Sequence, residues 1–257
     1  MFENSKWIGY ASKNPGADIL TTPSPYIAKT FELHEKPVKA TLNICGLGDA
    51  AYFLNGKRIP DSIRPTYVSH ITKTIIYNVY DITNELCAGK NRLGAILGSL
   101  RINQGHVGFR MPVMLIAELT IEYPDGSSET IVSDESFKAH DSSILFTATC
   151  CGERQDARLE IPGWCDADFD DSGWDNVSLP TPPTGKLRTT GCPPKRILGE
   201  RKCVEIAPKL FDCGITTAGY VRMKITGKAG TLIKLNYSER LLPHEMHVDR
   251  SAFSKWS

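Results

Sequence analysis

Apolar side chains in this chain recur at every second position and almost nowhere at helical spacing, and that period restricts it to sheets. Ala40, Leu42 and Ile44 alternate with Thr41, Asn43 and Cys45, so an extended segment there turns one face inward and the other outward. Tyr52-Phe53-Leu54 and Lys57-Arg58-Ile59 flank Asn55-Gly56. Both residues of that dipeptide tolerate the positive φ of a type I′ turn, which predicts a tight hairpin. Ala117, Leu119, Ile121 and Tyr123 alternate with Glu118, Thr120 and Glu122; the chain then turns at Pro124-Asp125-Gly126-Ser127 and resumes with Glu129-Thr130-Ile131-Val132. This pattern predicts a second hairpin with one wet face. A third is expected from Val221, Met223 and Ile225 against Ile233, Leu235 and Tyr237, joined through Gly227-Lys228-Ala229-Gly230.

Helix is scarce. No window holds the 3.6-residue pattern over the roughly 10–12 residues of an ordinary helix. The best candidate is one turn from Ile82 to Leu86, capped by Asp81 and stopped near Gly89. Many short strands punctuated by Gly, Pro and Asn point to a β-sandwich. The run Leu179-Pro180-Thr181-Pro182-Pro183-Thr184-Gly185, followed by Cys192-Pro193-Pro194, reads as a linker or extended crossover. The expected organisation is therefore a first β-sandwich over 1–195 and the beginning of an incomplete second β-domain over 196–257.

Charge and composition exclude several function classes. The 30 Lys and Arg are balanced by 29 Asp and Glu and interspersed with them, which leaves no electrostatic footprint for nucleic acid. No basic amphipathic segment suggests a membrane surface, and no apolar run approaches the roughly 18 residues of a membrane span. Met1-Phe2-Glu3-Asn4-Ser5-Lys6-Trp7 lacks the basic start and apolar core of a signal peptide, so a cytoplasmic location is expected. The eight cysteines, Cys45, Cys87, Cys150, Cys151, Cys165, Cys192, Cys203 and Cys213, include no CxxC pair. They are read mostly as buried reduced thiols.

An ordered set of segments begins with Tyr52-Phe53-Leu54-Asn55-Gly56-Lys57-Arg58, Tyr80-Asp81-Ile82-Thr83 and Gly89-Lys90-Asn91-Arg92-Leu93-Gly94. Tyr123-Pro124-Asp125-Gly126-Ser127 and Val132-Ser133-Asp134-Glu135-Ser136-Phe137-Lys138-Ala139 follow. Then come Gly152-Glu153-Arg154-Gln155-Asp156-Ala157-Arg158-Leu159-Glu160, Pro162-Gly163-Trp164 and Phe169-Asp170-Asp171-Ser172-Gly173-Trp174. Together they resemble the N-terminal region of bacterial α-L-rhamnosidases, the family 78 glycoside hydrolases. Leu210-Phe211-Asp212-Cys213-Gly214 and Ala218-Gly219-Tyr220-Val221-Arg222 are similar to the opening of the next β-domain in the same enzymes. The resemblance implies a jelly-roll sandwich of the galactose-binding-like type. It departs from the family after Leu97-Gly98-Ser99, where Leu100-Arg101-Ile102-Asn103-Gln104-Gly105 replaces an aromatic-rich glycine loop.

Inverting hydrolysis of a glycoside needs two carboxyl groups on opposite sides of the scissile bond, one giving a proton and one activating water. The resemblance implies that these acids belong to a helical (α/α)6 barrel after the β-domains, and no stretch here reads as such a barrel. No catalytic residue is therefore assigned. Glu153, Asp156 and Arg158 are the substrate-binding candidates; at strand spacing 153 and 156 face opposite ways, and an ion-pair network pinning a loop is the expected role. Asp166, Asp168 and Asp170 alternate like the front of a calcium loop, but Asp171 stands where an EF-hand needs glycine and Val177 where it needs glutamate. The expected role is a solvated turn anchored by Trp164, Phe169 and Trp174, with calcium the alternative and no other cofactor. Trp7, Tyr26, Tyr67, Trp164, Trp174 and Trp256 are the candidate sugar platforms, with Trp164 and Trp174 assigned to the core. His244, His247 and Asp249 lack zincin spacing and are not read as a metal site. The leading expectation is a non-catalytic accessory region of an α-L-rhamnosidase whose partner is the catalytic barrel; a free-standing module binding rhamnose-containing glycans is the alternative.

Overall fold

A computed structural model describes residues 1–12, 23–60, 63–98, 113–148, 152–238, 241–242 and 247–248. The chain divides into two compact units, Met1–Arg196 and Ile197–Ser257. In the first, the strands are β1 (Ile8–Gly9), β2 (Pro25–Leu33), β3 (Lys39–Leu47), β4 (Asp49–Leu54), β5 (Lys57–Arg58), β6 (Thr74–Ile76), β7 (Asn78–Asp81), β8 (Gly89–Gly98), β9 (Met114–Glu122) and β10 (Ser128–Val132). They continue with β11 (Lys138–Asp141), β12 (Ile144–Ala148), β13 (Gly152–Gln155), β14 (Asp175–Asn176) and β15 (Lys186–Arg188). Two single 3-10 turns, Thr83–Glu85 and Ala157–Leu159, are the helical elements among the described residues of this unit.

Two antiparallel sheets build the sandwich. One runs β1-β9-β3-β7, with β10 also on β9; the other runs β14-β11-β2-β8-β4-β5. The expected alternation sets what lies between them. Leu42 and Ile44 of β3 and Leu119 and Ile121 of β9 meet Ile27 of β2, Tyr52 and Leu54 of β4, and Leu93, Ala95 and Leu97 of β8 in one core. The first hairpin turns at Asn55 (φ 50) and Gly56 (φ 77), with Leu54 opposite Lys57, as a type I′ turn requires. The second pairs β9 with β10 in the register Glu122 to Ser128. The turn expected from Ile82 to Leu86 is the 3-10 turn Thr83–Glu85, whose N-cap is Ile82 and not Asp81; Asp81, one residue earlier, accepts from the Thr83 amide at 3.0 Å.

Neither sheet leaves its outer face fully wet. Cys45 and Leu47 of β3, with Met114 and Ile116 of β9, pack with Phe2, Trp7, Ile71, Ile75 and Tyr77 in a second cluster. A third, with Tyr26 and Ala28 of β2, lies under Trp174 on the other sheet. The Pro-rich run is not a free linker: Gly185 donates to the Ile71 carbonyl at 3.0 Å, and β15 then pairs in parallel with β6.

The second unit contains the hairpin of β16 (Val204–Ala207) and β17 (Leu210–Asp212), and the pair β18 (Leu241–Leu242) and β19 (His247–Val248). The third hairpin expected from residues 221–237 does not form: those residues carry no strand. Its apolar positions are open to solvent, from 40% at Val221 to 55% at Tyr237. Alternation stabilises a strand only where a second layer covers the apolar face, and no described residue of the unit does so.

Candidate functional site on an outer sheet face

The segments that carry the resemblance converge on the outer face of the six-stranded sheet. Inward-facing Leu93, Ala95 and Leu97 force Arg92, Gly94 and Ile96 of β8 outward, beside Tyr26, Ala28 and Thr30 of β2 and Phe53 of β4. Residues 152–178 cross this face from β13 to β14, which closes the far edge by pairing with β11. Trp164 stacks on Tyr26 at 4.4 Å and meets Phe53 edge-on at 5.3 Å; Trp174 stacks on Tyr26 at 5.9 Å and takes the edge of Phe169 at 5.5 Å. Gly94 makes room for this layer. A Cβ there would stand 2.6 Å from the Trp164 ring and 2.8 Å from the Cys165 sulfur.

Arg92 is the charged centre of the arrangement, with a side chain that is 0% exposed. Its Nε donates to the Trp164 carbonyl at 2.9 Å; its Nη1 donates to Thr30 Oγ1 and to Asp171 Oδ2, both at 2.7 Å. The guanidinium lies 5.2 Å from the Phe169 ring centre and 5.3 Å from that of Trp174, within cation–π range. Its Nη2 has no hydrogen-bond partner among the described residues. Burying a cation is costly unless it is paired and hydrogen-bonded, and Asp171 supplies the pairing charge. The Arg92 backbone is tied in turn to the first hairpin: its N–H donates to Asn55 Oδ1 at 2.8 Å, while the Asn55 N–H donates to the Arg92 carbonyl at 3.0 Å. Asn55 Nδ2 donates to Asn91 Oδ1, which also accepts from the Cys87 amide. Hairpin, 3-10 turn, β8 and crossing segment thus form one knot.

The candidate acids are distributed through this region without converging. Asp156 caps the turn Ala157–Leu159 by accepting from the Arg158 amide at 3.0 Å, and the Arg158 guanidinium grips it through Nε at 2.9 Å and Nη2 at 2.6 Å. Those hydrogen bonds hold the Asp156 carboxyl down to about 2. Glu153 is exposed on β13, where loss of water around its carboxyl and the nearby negative charge of Asp49 push it up. Among the described residues no hydrogen bond or ion pair joins Arg158 to Glu153. The Asp156–Arg158 pair is confined to its own turn.

Asp166, Asp168 and Asp170 have separate surroundings. Asp168 lies 3.5 Å from Lys90, Asp170 accepts from the Ser172 amide at 2.9 Å, and Asp166 approaches the backbone at Gly56 and Gly163. Among the described residues no three His, Cys, Asp or Glu side chains gather as a metal site needs. Of the aromatics, Trp7, Tyr26 and Trp174 are buried while Tyr67 and Trp164 are half-buried. The expectation of mostly buried thiols needs correction: Cys45 and Cys165 are buried, but Cys87 and Cys192 are exposed and Cys203 and Cys213 half-buried. Cys150, Cys151, the segment 100–105, residues 244–246, Asp249 and Trp256 lie outside the described residues. Two shallow hollows, of about 350 and 360 Å³, lie beside Glu3 and Glu118 and beside Arg58 and Glu85; neither is lined by Glu153, Asp156 or Arg158. No helix among the described residues is long and apolar enough to cross a membrane.

The role of Arg92 was not read from the sequence, although a signal existed. An arginine in phase with Gly94 and Ile96, on a strand whose other face is core, must be covered and must find a carboxylate.

Fold and site together define a β-sandwich domain whose polar motif residues are turned to internal cohesion. The model of the α-L-rhamnosidase N-terminal domain matches residues 35–199, and the chain belongs to that family. An α-L-rhamnosidase of Streptomyces avermitilis is 33% identical over 82% of this chain, and one of an Alteromonas species is 30% identical over 97%. This chain spans 22% and 29% of their lengths. Among solved structures, the α-L-rhamnosidase of Dictyoglumus thermophilum aligns with a TM-score of 0.70 at 34% identity, covering 79% of this chain and 24% of that one. That of Aspergillus terreus aligns at 0.69 and 27%, with the same coverages.

Proposed function

We propose that this chain is a non-catalytic accessory region of an α-L-rhamnosidase, an enzyme that hydrolyses terminal α-L-rhamnose from glycosides. Its partner is the catalytic barrel of the same enzyme, which it braces. The observation that carries this reading is how the motif acids are engaged. Asp171 neutralises buried Arg92, Asp156 is closed by Arg158, and Asp170 satisfies a turn amide. An inverting hydrolase needs a proton donor and a water-activating base facing each other across a sugar, whereas these groups face their own loop. Bracing requires no cofactor.

Calorimetric titration of the chain with L-rhamnose, with and without calcium, tests the reading against a sugar-binding module. A flat titration in both buffers is expected. Saturable heat with 1:1 stoichiometry would replace bracing with glycan recognition, and heat only with calcium would return attention to Asp166, Asp168 and Asp170.

A further inference from the structure

The second unit opens on a short hairpin in which two cysteines stand face to face. Val204 is opposite Asp212 and Glu205 opposite Phe211 across β16 and β17. The same register, continued one step outward, places Cys203 opposite Cys213. Directly opposed residues of an antiparallel ladder share a face with Cα atoms about 4.5–5.5 Å apart, inside the span a disulfide bridges. The side chains use that proximity: the two Sγ atoms lie 2.7 Å apart, in contact as a sulfur–sulfur hydrogen bond. The turn is held independently of them. Lys209 takes the left-handed conformation (φ 63) and its N–H donates to Glu205 Oε1 at 2.9 Å, so the register does not depend on the sulfurs. Both thiols are half-buried and open to a small reagent. The Cys213 thiol is held above its ordinary range, chiefly by its hydrogen bond with Cys203.

We propose that Cys203 and Cys213 are a reversible redox pair, closed into a cross-strand disulfide by exchange with a small disulfide of the oxidised-glutathione class. The Cys203 thiolate attacks one sulfur of the small disulfide, whose S–S bond breaks, and one small thiolate leaves with the electron pair. Cys213 then gives its proton to solvent and attacks the Cys203 sulfur of the mixed disulfide. The Cys203–Cys213 bond forms and the second small thiolate leaves. Two protein thiols are oxidised, one small disulfide is reduced to two thiols, and the protons released are taken up by those thiols. The bond closes a short loop and fixes the strand pair from which the second unit starts. With excess reduced thiol the same exchange runs backward.

The test treats the full chain with oxidised glutathione, blocks remaining thiols with iodoacetamide, and digests with trypsin. The peptides Cys203–Lys209 and Leu210–Arg222 should appear joined, two hydrogens lighter than their sum, and separate on adding dithiothreitol. In Cys213→Ser the resolving sulfur is gone, and a glutathione adduct should persist on Cys203. In urea, where register is lost, pairing should scatter among the eight cysteines. The proposal is overturned if both peptides carry separate alkyl or glutathione groups, if either cysteine joins a different partner in the native chain, or if the pairing is equally selective in urea.

Discussion

Arg92 shows how one side chain turns a pattern of strands into a particular domain. Its charge lies in a place water does not reach, so every neighbour that supports it becomes a condition of folding. Asp171→Ala removes the only carboxylate bonded to it among the described residues and should cost about 3 kcal/mol, the low end for breaking a buried pair because Asp171 is itself partly exposed. Urea denaturation monitored by tryptophan fluorescence checks this; a loss within a few tenths of a kcal/mol of wild type would mean the guanidinium is not enclosed as described. Asp156 makes a different prediction. Its folded carboxyl titrates at about 2 against an ordinary value of 3.8, so the stabilisation it gives is complete above 3.8 and fades as pH falls toward 2. Carbon-detected NMR titration should place Asp156 near 2, and Arg158→Gln, which removes the guanidinium but keeps the residue-158 amide, should raise it part of the way toward the ordinary carboxylate range. Glu153 should move the other way, titrating above its usual value.

Among the elements, the β4–β5 hairpin links sheet to crossing segment. Gly56 is required there by a φ of +77, and a Cβ would also displace the Asp166 carboxylate, whose Oδ1 would lie 2.3 Å away. Gly56→Ala should therefore cost about 1–2 kcal/mol for the left-handed backbone, with a further small loss from displacing Asp166 in the loop that carries Trp164. The tryptophan emission should shift to the red along with the lowered denaturation midpoint; a lower midpoint without the spectral shift would localise the damage to the turn. This hairpin was legible in the sequence because its information is local, in two residues and the alternation beside them. So was the β9–β10 hairpin. The pattern over 221–237 looked equally convincing and did not become a strand pair, because alternation states a preference for a covered face and cannot state what covers it. The aromatic layer was partly legible: Trp174 is buried as expected, whereas Trp164, expected in the core, is only half-buried on the outer sheet face. Their stacking on Tyr26 and the burial of Arg92 depend on residues about 70–140 positions apart in the chain, and no local period records that.

At the scale of the whole molecule, the sandwich, its crossing segment and the family match describe the same object: an α-L-rhamnosidase N-terminal domain held together by the motifs that identify it. The second unit exposes much of its apolar surface, with Leu198 at 99% and Leu232 at 87%. Division of labour is the central claim, and turnover tests it most directly. The purified 257-residue chain, incubated with an aryl α-L-rhamnoside, should release no aglycone above the rate in buffer. Release that scales with protein concentration and is abolished by Glu153→Gln or Asp156→Asn would place a hydrolytic centre inside this domain and contradict the account.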